Sequence, residues 1–236
     1  MVKRILSPDL EPVEEHGGVP TRLRFYWVDY GRVDDNPSDP GGFSGTWPRV
    51  GSFHEAVVAF AVSVGGSRGE VSCFMWTDDE SYLLWGREAF GWPLLRADVR
   101  TSGTIWEGSQ SRKAFDASAR AEGIELGLSG EIIGADERPG LSPATWLTPR
   151  RTITWGTAGR FGQMRELLLV HPQVIRAGQH VACKGDVEFG APGGHPLASI
   201  RPLAEPSLDA SLNFEIIVGG QVRSLQQSRG DANAAP

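Results

Sequence analysis

The chain has 236 residues, of which 40% are hydrophobic and 22% are charged, and its formal net charge is −6. This length permits one large domain with a substantial core, and the composition is that of a globular protein. The negative charge and the scattered arginines argue against nucleic acid as a partner, because phosphate binding needs clustered cations. The N-terminus lacks a signal-peptide apolar segment, and no apolar run reaches the roughly 18 residues that cross a bilayer. We therefore expect a cytoplasmic protein that does not enter the membrane.

The 30 glycines and 16 prolines favour a turn-rich all-β or α+β fold over a helical bundle. Cys73 and Cys183 are too few for a disulfide framework, and both lie in apolar, strand-like runs, which predicts buried free thiols. The five histidines have no metal-binding spacing, and no motif indicates a cofactor. We therefore predict that the protein uses no metal and no cofactor.

The first half of the chain predicts strands joined by turns. Residues 21–30 alternate apolar and polar side chains with a period of two, as in a half-buried strand. Residues 53–64 predict a long strand, and Gly65-Gly66 predicts a hairpin turn back into residues 70–76. Residues 31–49 predict a long loop, and loops of this length are commonly functional. Its Asp34-Asp35 pair could bind a metal, but the missing third ligand favours a solvated acidic turn.

A short helix is predicted after the hairpin. Thr77 and Glu80 have the spacing of a capping box, in which each side chain satisfies a backbone donor at the helix start. Tyr82, Trp85 and Ala89 then recur at helical spacing and give the helix one apolar face. Gly91-Trp92-Pro93 ends the helix, and residues 94–99 predict the next strand.

The rest of the chain predicts more strands and no repeat. These strands cover residues 104–109, 113–133, 151–155, 164–170, 179–189 and 212–218, the last ended by Gly219-Gly220. Residues 224–236 are small and polar, which is typical of a disordered tail. We predict a single domain over residues 1–223 followed by that tail over residues 224–236.

One stretch resembles a known family. Gly86-Arg87-Glu88, followed by Phe90-Gly91-Trp92-Pro93, is similar to the Gly-Arg-Glu…aromatic-Pro-Lys-Lys signature of the acetoacetate decarboxylase superfamily. Glu55 precedes Gly86 by 31 residues (86 − 55), where that family carries an active-site glutamate. The resemblance spans roughly residues 5–222 and implies an α+β, mainly β fold. It also implies a closed antiparallel β-barrel or cone with a few peripheral helices, assembled into a homo-oligomer.

The chain departs from that signature where the family's chemistry resides. The resemblance places Leu94 and Leu95 at the positions of the imine-forming lysine and of the lysine that activates it. By the same resemblance, Tyr26 takes the place of a second active-site glutamate. The family's first hairpin, which carries a substrate-binding arginine, has no counterpart in this sequence, so either the start site is truncated or the protein dispenses with that arginine. Lys3, Lys113 and Lys184 are the only lysines that could replace the nucleophile.

Glu55 is the strongest candidate for a catalytic residue. Alternation places it on the opposite strand face from His54 and Ala56, among apolar neighbours, where burial would suit it to acid–base chemistry. The alternative is a structural carboxylate paired with Arg87 or another arginine. Tyr26 is predicted to donate a hydrogen bond to substrate. The candidate substrate-binding residues, which would line an apolar pocket or belong to the signature's scaffold, are Met75, Trp92, Leu94, Arg87 and Glu88.

Three functions are consistent with this pattern. The first is an enzyme without an imine, acting on a hydrophobic, polyketide-like substrate by cyclisation, dehydration or isomerisation, as in secondary metabolism. The second is a non-catalytic protein that only binds a small molecule. The third is a decarboxylase or aldolase that uses Lys113 or Lys184. Product formation separates the first from the second, and a reducible imine identifies the third.

Overall fold

The computed structural model describes residues 2–15, 17–28, 52–102, 114–135, 145–155, 161–176, 179–200, 208–212 and 215–224. These residues form two short α-helices, a π-helical turn, a 3₁₀ turn and thirteen strands. The helices are α1 (Val2–Ile5) and α2 (Glu80–Trp85), the π-helical turn is Gly86–Phe90, and the 3₁₀ turn is Pro196–Ser199. The strands are β1 (Glu11–Pro12), β2 (Thr21–Val28), β3 (Phe53–Val64), β4 (Ser67–Thr77), β5 (Leu94–Arg96), β6 (Asp98–Ser102), β7 (Ala114–Ala121), β8 (Ile124–Ala135), β9 (Trp146–Trp155), β10 (Phe161–Arg176), β11 (Gln179–Gly190), β12 (Leu208–Leu212) and β13 (Glu215–Ser224).

The strands form two sheets. The larger sheet has eight strands in the order β1-β3-β4-β9-β10-β13, with β2 also paired to β3 and β5 to β4. The smaller sheet has five strands in the order β12-β11-β8-β7-β6. The mainly β, α+β class is therefore confirmed. The predicted closed barrel is not confirmed, because the described strands form two open sheets and neither closes on itself.

The hairpin of β3 and β4 is the centre of the larger sheet. Gly65 and Gly66 have φ angles of 52° and 81°, which a two-residue turn between right-twisted strands requires and which glycine adopts without strain. Val64 pairs with Ser67 directly across this turn. The predicted strand over residues 53–64 and its return are confirmed, and β4 is longer at both ends than predicted.

The two faces of β3 enter two separate apolar clusters. One cluster, the inter-sheet core, joins Val58 and Phe60 of the larger sheet to Ala119 and Leu126 of the smaller one. The other, the helix-side core, contains Phe53, Val57 and Ala59 of β3 with residues of α2 and the π-helical turn. Alternation along β3 directs successive side chains to opposite faces, so a strand buried on both faces contributes to both cores.

The predicted helix exists, but its cap differs from the prediction. Asp79, rather than Thr77, is the N-cap residue, and its side chain accepts a hydrogen bond from the backbone N–H of Tyr82 at 2.6 Å. Thr77 ends β4 instead, and its hydroxyl accepts from the N–H of Asp79 at 3.2 Å. The predicted stop is confirmed, because Gly91 has a φ angle of 69° and caps the π-helical turn.

Other elements differ from the sequence interpretation in their boundaries. The predicted strand over residues 94–99 is divided at Ala97, because β5 joins the larger sheet and β6 the smaller one. Gly219-Gly220 lies inside β13, where pairing with β10 continues, and does not end the strand. Cys73 and Cys183 are both free thiols, as predicted, but only Cys183 is buried, whereas Cys73 is partly exposed. Among the described residues no helix is long and apolar enough to cross a membrane.

The loop over residues 31–49, with its Asp34-Asp35 pair, and residues 225–236 of the predicted tail lie outside the described residues. Ser224, the first residue assigned to that tail, is the last residue of β13. The single domain over residues 1–223 stays a prediction.

Candidate functional site

Glu55 lies on the helix-side face of the larger sheet. It occupies β3 in line with Phe53, Val57 and Ala59, and it is only 7% exposed. In the antiparallel register it is opposite Tyr26 of β2 and Thr77 of β4. Because directly opposed residues of an antiparallel sheet share a face, the three side chains lie on the same face of the sheet.

The carboxyl group of Glu55 has one hydrogen bond within this core. The hydroxyl of Tyr82, on α2, donates to Glu55 Oε1 at 3.1 Å. Burial raises the pKa of Glu55 from the ordinary 4.5 to about 8, and the hydrogen bond from Tyr82 opposes part of this increase. Glu55 therefore carries its proton at neutral pH and can act as an acid or, once ionised, as a base.

Tyr26 is a neutral hydrogen-bonding group beside this acid. Burial raises the pKa of Tyr26 from 10.0 to about 12, and the positive charge of Arg24 opposes part of this increase. The phenol therefore keeps its proton over the physiological range. Its role as a hydrogen-bond donor to a ligand near Glu55 stays a prediction.

The predicted pocket residues form an aromatic and aliphatic cluster around this position. Leu94 is fully buried and pairs in parallel register with Met75 of β4. Trp92 stacks on Phe90 with ring centroids 4.4 Å apart. Its ring also meets the edges of Trp85 and Trp146 at centroid distances of 6.0 and 5.9 Å. Met75, Trp92 and Leu94 therefore belong to the apolar surroundings of Glu55, and their contact with substrate stays a prediction.

Arg87 and Glu88 are not part of this cluster. Both side chains are exposed on the π-helical turn. The interpretation of Arg87 as the partner of Glu55 is not supported, because the carboxyl of Glu55 is hydrogen-bonded to Tyr82. Arg87 and Glu88 therefore face solvent, whereas Tyr82 of α2 faces the core. The charged pair of the signature does not share the buried environment of Glu55.

Two features of the site were missed by the sequence reasoning. Tyr82 was assigned only to an apolar helix face, and no spacing rule links it to Glu55, 27 residues away. The second is a buried carboxylate, Glu70, held by Arg22 at 2.7 Å. Its Oε2 also forms an ion pair with Arg24 at 2.7 Å. The hairpin register, which pairs Ala61 with Glu70, and the alternation of β2 could have predicted that these charges share a face.

A second acidic group lies at the same end of β3 but on its other face. Asp78 accepts hydrogen bonds from the backbone N–H of His54 and from its Nδ1, each at 2.7 Å. The pair ties the start of β3 to the end of β4, next to the N-cap of α2. His54 therefore has a structural partner, and its ring does not share the environment of Glu55.

The described residues offer neither a metal centre nor a buried lysine. No group of three or more His, Cys, Asp or Glu side chains in the described part of the chain is placed to hold a metal ion. Lys3 and Lys184 are exposed on α1 and β11, and Lys113 lies outside the described residues. The region around Glu55 contains a buried carboxyl group in an apolar and aromatic environment.

The chain was compared with known proteins. The family model described as acetoacetate decarboxylase matches residues 1–207. A comparison with curated protein sequences gives no match.

Solved structures with similar folds include an acetoacetate decarboxylase-like enzyme from Sphingomonas wittichii RW1, with 16% identity, a TM-score of 0.60, and coverage of 94% of this chain and 80% of that one. The enduracididine biosynthesis enzyme MppR, complexed with the condensation product of pyruvate and imidazole 4-carboxaldehyde, has 16% identity, a TM-score of 0.61, and coverage of 93% and 80%. The acetoacetate decarboxylase from Legionella pneumophila has 14% identity, a TM-score of 0.60, and coverage of 95% and 80%. At these identities the structures establish the fold alone, whereas the family model covers most of the sequence. The chain therefore belongs to the acetoacetate decarboxylase family.

Proposed function

We propose that this protein is an enzyme that performs acid–base chemistry with Glu55, without an imine, on a hydrophobic, polyketide-like substrate. The observation that carries the proposal is the buried Glu55, whose pKa of about 8 keeps it protonated at neutral pH. Acids of this kind have a pKa near the operating pH, where they can both give and take a proton. By the resemblance to the family, Leu94 takes the position of the imine-forming lysine, and its alkyl side chain cannot form an imine.

The chemistry follows from two side chains. Glu55 would give its proton to a carbonyl or hydroxyl oxygen of the substrate and would later take a proton from carbon or oxygen. Tyr26, which stays neutral because of its high pKa, would donate a hydrogen bond to the oxygen on which negative charge develops. Cyclisation, dehydration and isomerisation all need only this exchange of protons, and a shaped cavity further accelerates an intramolecular closure.

The surroundings favour an apolar substrate. The side chains packed around Glu55 are aliphatic or aromatic, as are those of ligand sites for hydrophobic molecules. The similar fold of MppR, a biosynthesis enzyme whose structure holds a condensation product, also agrees with an enzyme that acts on carbonyl compounds. A homo-oligomer in the cytoplasm remains part of this proposal.

The test is turnover of a panel of linear aryl and alkyl β-diketones and β-keto acids, followed by mass spectrometry of the products. We expect wild-type protein to convert at least one of these compounds. Glu55→Gln should lower its rate by about 100-fold or more, because general acid–base catalysis contributes 10²–10⁴-fold. Tyr26→Phe should lower the rate less. Glu131→Gln, which changes an exposed glutamate on β8, is the matched control and should keep wild-type activity.

Three results would overturn the proposal. The first is a substrate-dependent mass adduct on Lys113 or Lys184 after borohydride reduction, which would identify imine chemistry at a relocated lysine. The second is a rise in melting temperature with a panel compound that is never converted, which would identify a binding protein. Full activity of Glu55→Gln would also contradict the assigned role of Glu55.

A further inference from the structure

We propose that Tyr82 is the positioning residue of this site and that it directs the acidic proton of Glu55 to Oε2. The Tyr82 hydroxyl donates to Oε1 at 3.1 Å. In a neutral carboxyl group the carbonyl oxygen accepts a hydrogen bond more strongly than the hydroxyl oxygen does, so this bond favours Oε1 as the carbonyl oxygen. The proton of neutral Glu55 is therefore on Oε2, which has no hydrogen bond among the described residues. This inference rests on the proposed function, because it describes the same acid.

The Tyr82 hydroxyl can act as a positioning group because the rest of the residue is held at several points. Its backbone N–H is bound by the Asp79 N-cap at 2.6 Å, and Asp79 is in turn bound to the Thr77 hydroxyl. Its ring stacks on Phe53 of β3, with centroids 3.9 Å apart and planes 21° from parallel. The side chain is also buried, so it has little freedom to leave Glu55.

The anchors of Tyr82 lie on β3, which carries Glu55, and at the end of β4, which pairs with β3. Phe53 precedes Glu55 by two residues on β3, so both side chains lie on one face. Thr77 is opposite Glu55 in the sheet register. The ring of Tyr82 and the carboxyl of Glu55 are thus positioned by two adjacent strands, and the distance between them does not depend on a long loop.

Few other charged groups share the environment of Glu55 in the described structure. Tyr26 faces it from β2, and the uncharged Thr77 lies opposite it on β4. Leu168 and Val170 of β10 are apolar. His54 and Asp78 pair with each other on the other face of β3. Other charges also occur on this face of the sheet: Arg22 and Arg24 each form an ion pair with Glu70. The buried Glu166 of β10 lies two residues before Leu168 and therefore on the same face.

The experiment is an NMR titration of the full chain with carboxyl-labelled glutamate, in which Glu55→Gln identifies the Glu55 resonance. In wild-type protein the resonance should titrate near pH 8. In Tyr82→Phe the midpoint should rise by about one pH unit, because the variant loses a hydrogen bond that favours the ionised carboxylate. The phenylalanine keeps the ring that stacks on Phe53, and a thermal melt checks that the variant is folded.

Tyr26→Phe is the matched control, because it removes the same hydroxyl from a tyrosine that faces Glu55 without a hydrogen bond to it in the structure. Its midpoint should stay within a few tenths of a pH unit of wild type. Equal shifts in the two variants, or an unchanged or lower midpoint in Tyr82→Phe, would overturn the proposal. The Oε1–hydroxyl bond can also be tested in wild-type protein, where the Tyr82 hydroxyl proton should exchange slowly with solvent. Rapid exchange would overturn the proposal even if Tyr82→Phe did not fold.

The titration and the turnover assay separate two failures. If Tyr82→Phe shifts the midpoint but Glu55→Gln turns over normally, Tyr82 positions a carboxyl group that the reaction does not use, and only the proposed function is wrong. If the midpoint does not shift while Glu55→Gln is inactive, Glu55 is catalytic and Tyr82 is not its positioning residue.

Discussion

The two faces of the larger sheet are both buried, yet they differ in chemistry. On β3, Ala56 and Val58 point into the inter-sheet core, whose buried members are apolar apart from the indole of Trp76. Their neighbours Glu55 and Val57 point to the helix-side face, where a carboxyl group, two tyrosines and an aromatic cluster are packed together. One strand thus supplies apolar side chains to a core on one side and a buried carboxyl group on the other.

The comparison shows that the two faces contribute differently to the pH dependence of stability. Burial of apolar side chains between two sheets stabilises over the physiological pH range, since the buried side chains of that core are not ionisable. A buried carboxyl group stabilises only while it is neutral, because desolvation disfavours its ionised form. The helix-side face therefore loses stability when Glu55 ionises, whereas the inter-sheet core does not. Groups that lower stability in this way are typical of functional sites.

The largest expected effect is on the pH dependence of stability. Because the pKa of Glu55 is raised to about 8 in the folded state, its contribution is fully present below pH 4.5 and is lost as pH rises to about 8. Glu55→Gln cannot ionise and removes this loss. We compare the free energy of unfolding of the variant with that of wild type at each pH. Between pH 4 and pH 9 this difference should change in favour of the variant by on the order of 4 kcal/mol.

Urea unfolding at a series of pH values measures this difference. Glu131→Gln, on the exposed side of β8, should follow the wild-type pH dependence and provides the control. Parallel pH curves for wild type and Glu55→Gln would show that Glu55 is not buried as the structure has it.

A smaller effect should separate the two faces of β3 directly. Val57→Ala and Val58→Ala remove the same two methyl groups from adjacent residues, and each should lower the free energy of unfolding by about 2 kcal/mol at pH 5. Val57 shares a face with Glu55, so its truncation should admit water, lower the Glu55 pKa and weaken the loss of stability between pH 4.5 and 8. Val58→Ala should keep the wild-type pH dependence. Identical pH curves for the two variants would argue that the faces are not distinct.

Much of the difference between the two faces of β3 could be predicted from the sequence, but the hydrogen bond from Tyr82 to Glu55 could not. Alternation over residues 53–64 and the Gly65-Gly66 turn predicted β3 and the orientation of Glu55 correctly, because both depend on local rules. The resemblance predicted Glu55 as the candidate and the mainly β class. The contact from Tyr82 to Glu55 could not be predicted, because it depends on how α2 packs on the sheet, which periodicity does not specify.

The prediction of the N-cap was wrong for a related reason. Thr77 and Glu80 have capping-box spacing, yet Thr77 extends β4 in register with Glu55, and the helix begins only after Asp79. Thr77 could belong either to β4 or to the start of α2, and its pairing with Glu55 places it in the strand. The strand at residues 94–99 was likewise divided because its two halves pair with different sheets, a tertiary choice that a single apolar run does not reveal.

The smallest expected effect tests how tightly the helix-side core is packed where the family signature begins. A Cβ added to Gly86 would lie 2.3 Å from Cδ1 of Leu94 and 3.1 Å from the ring of Trp92. Leu94 is fully buried and has little room to move. Overpacking typically costs about 1–3 kcal/mol, and the better helix propensity of alanine offsets up to about 1 kcal/mol. Gly86→Ala should therefore lower the free energy of unfolding by about 1 kcal/mol.

The cause can be assigned with a double-mutant cycle. If the clash with Leu94 is the origin of the loss, Gly86→Ala should be neutral or stabilising in a Leu94→Ala background, because the space it needs is then empty. An equal loss in both backgrounds would place the strain in the backbone of the π-helical turn instead. A loss that disappears in the Leu94→Ala background would show that packing of the helix-side core depends on the residue that follows Pro93.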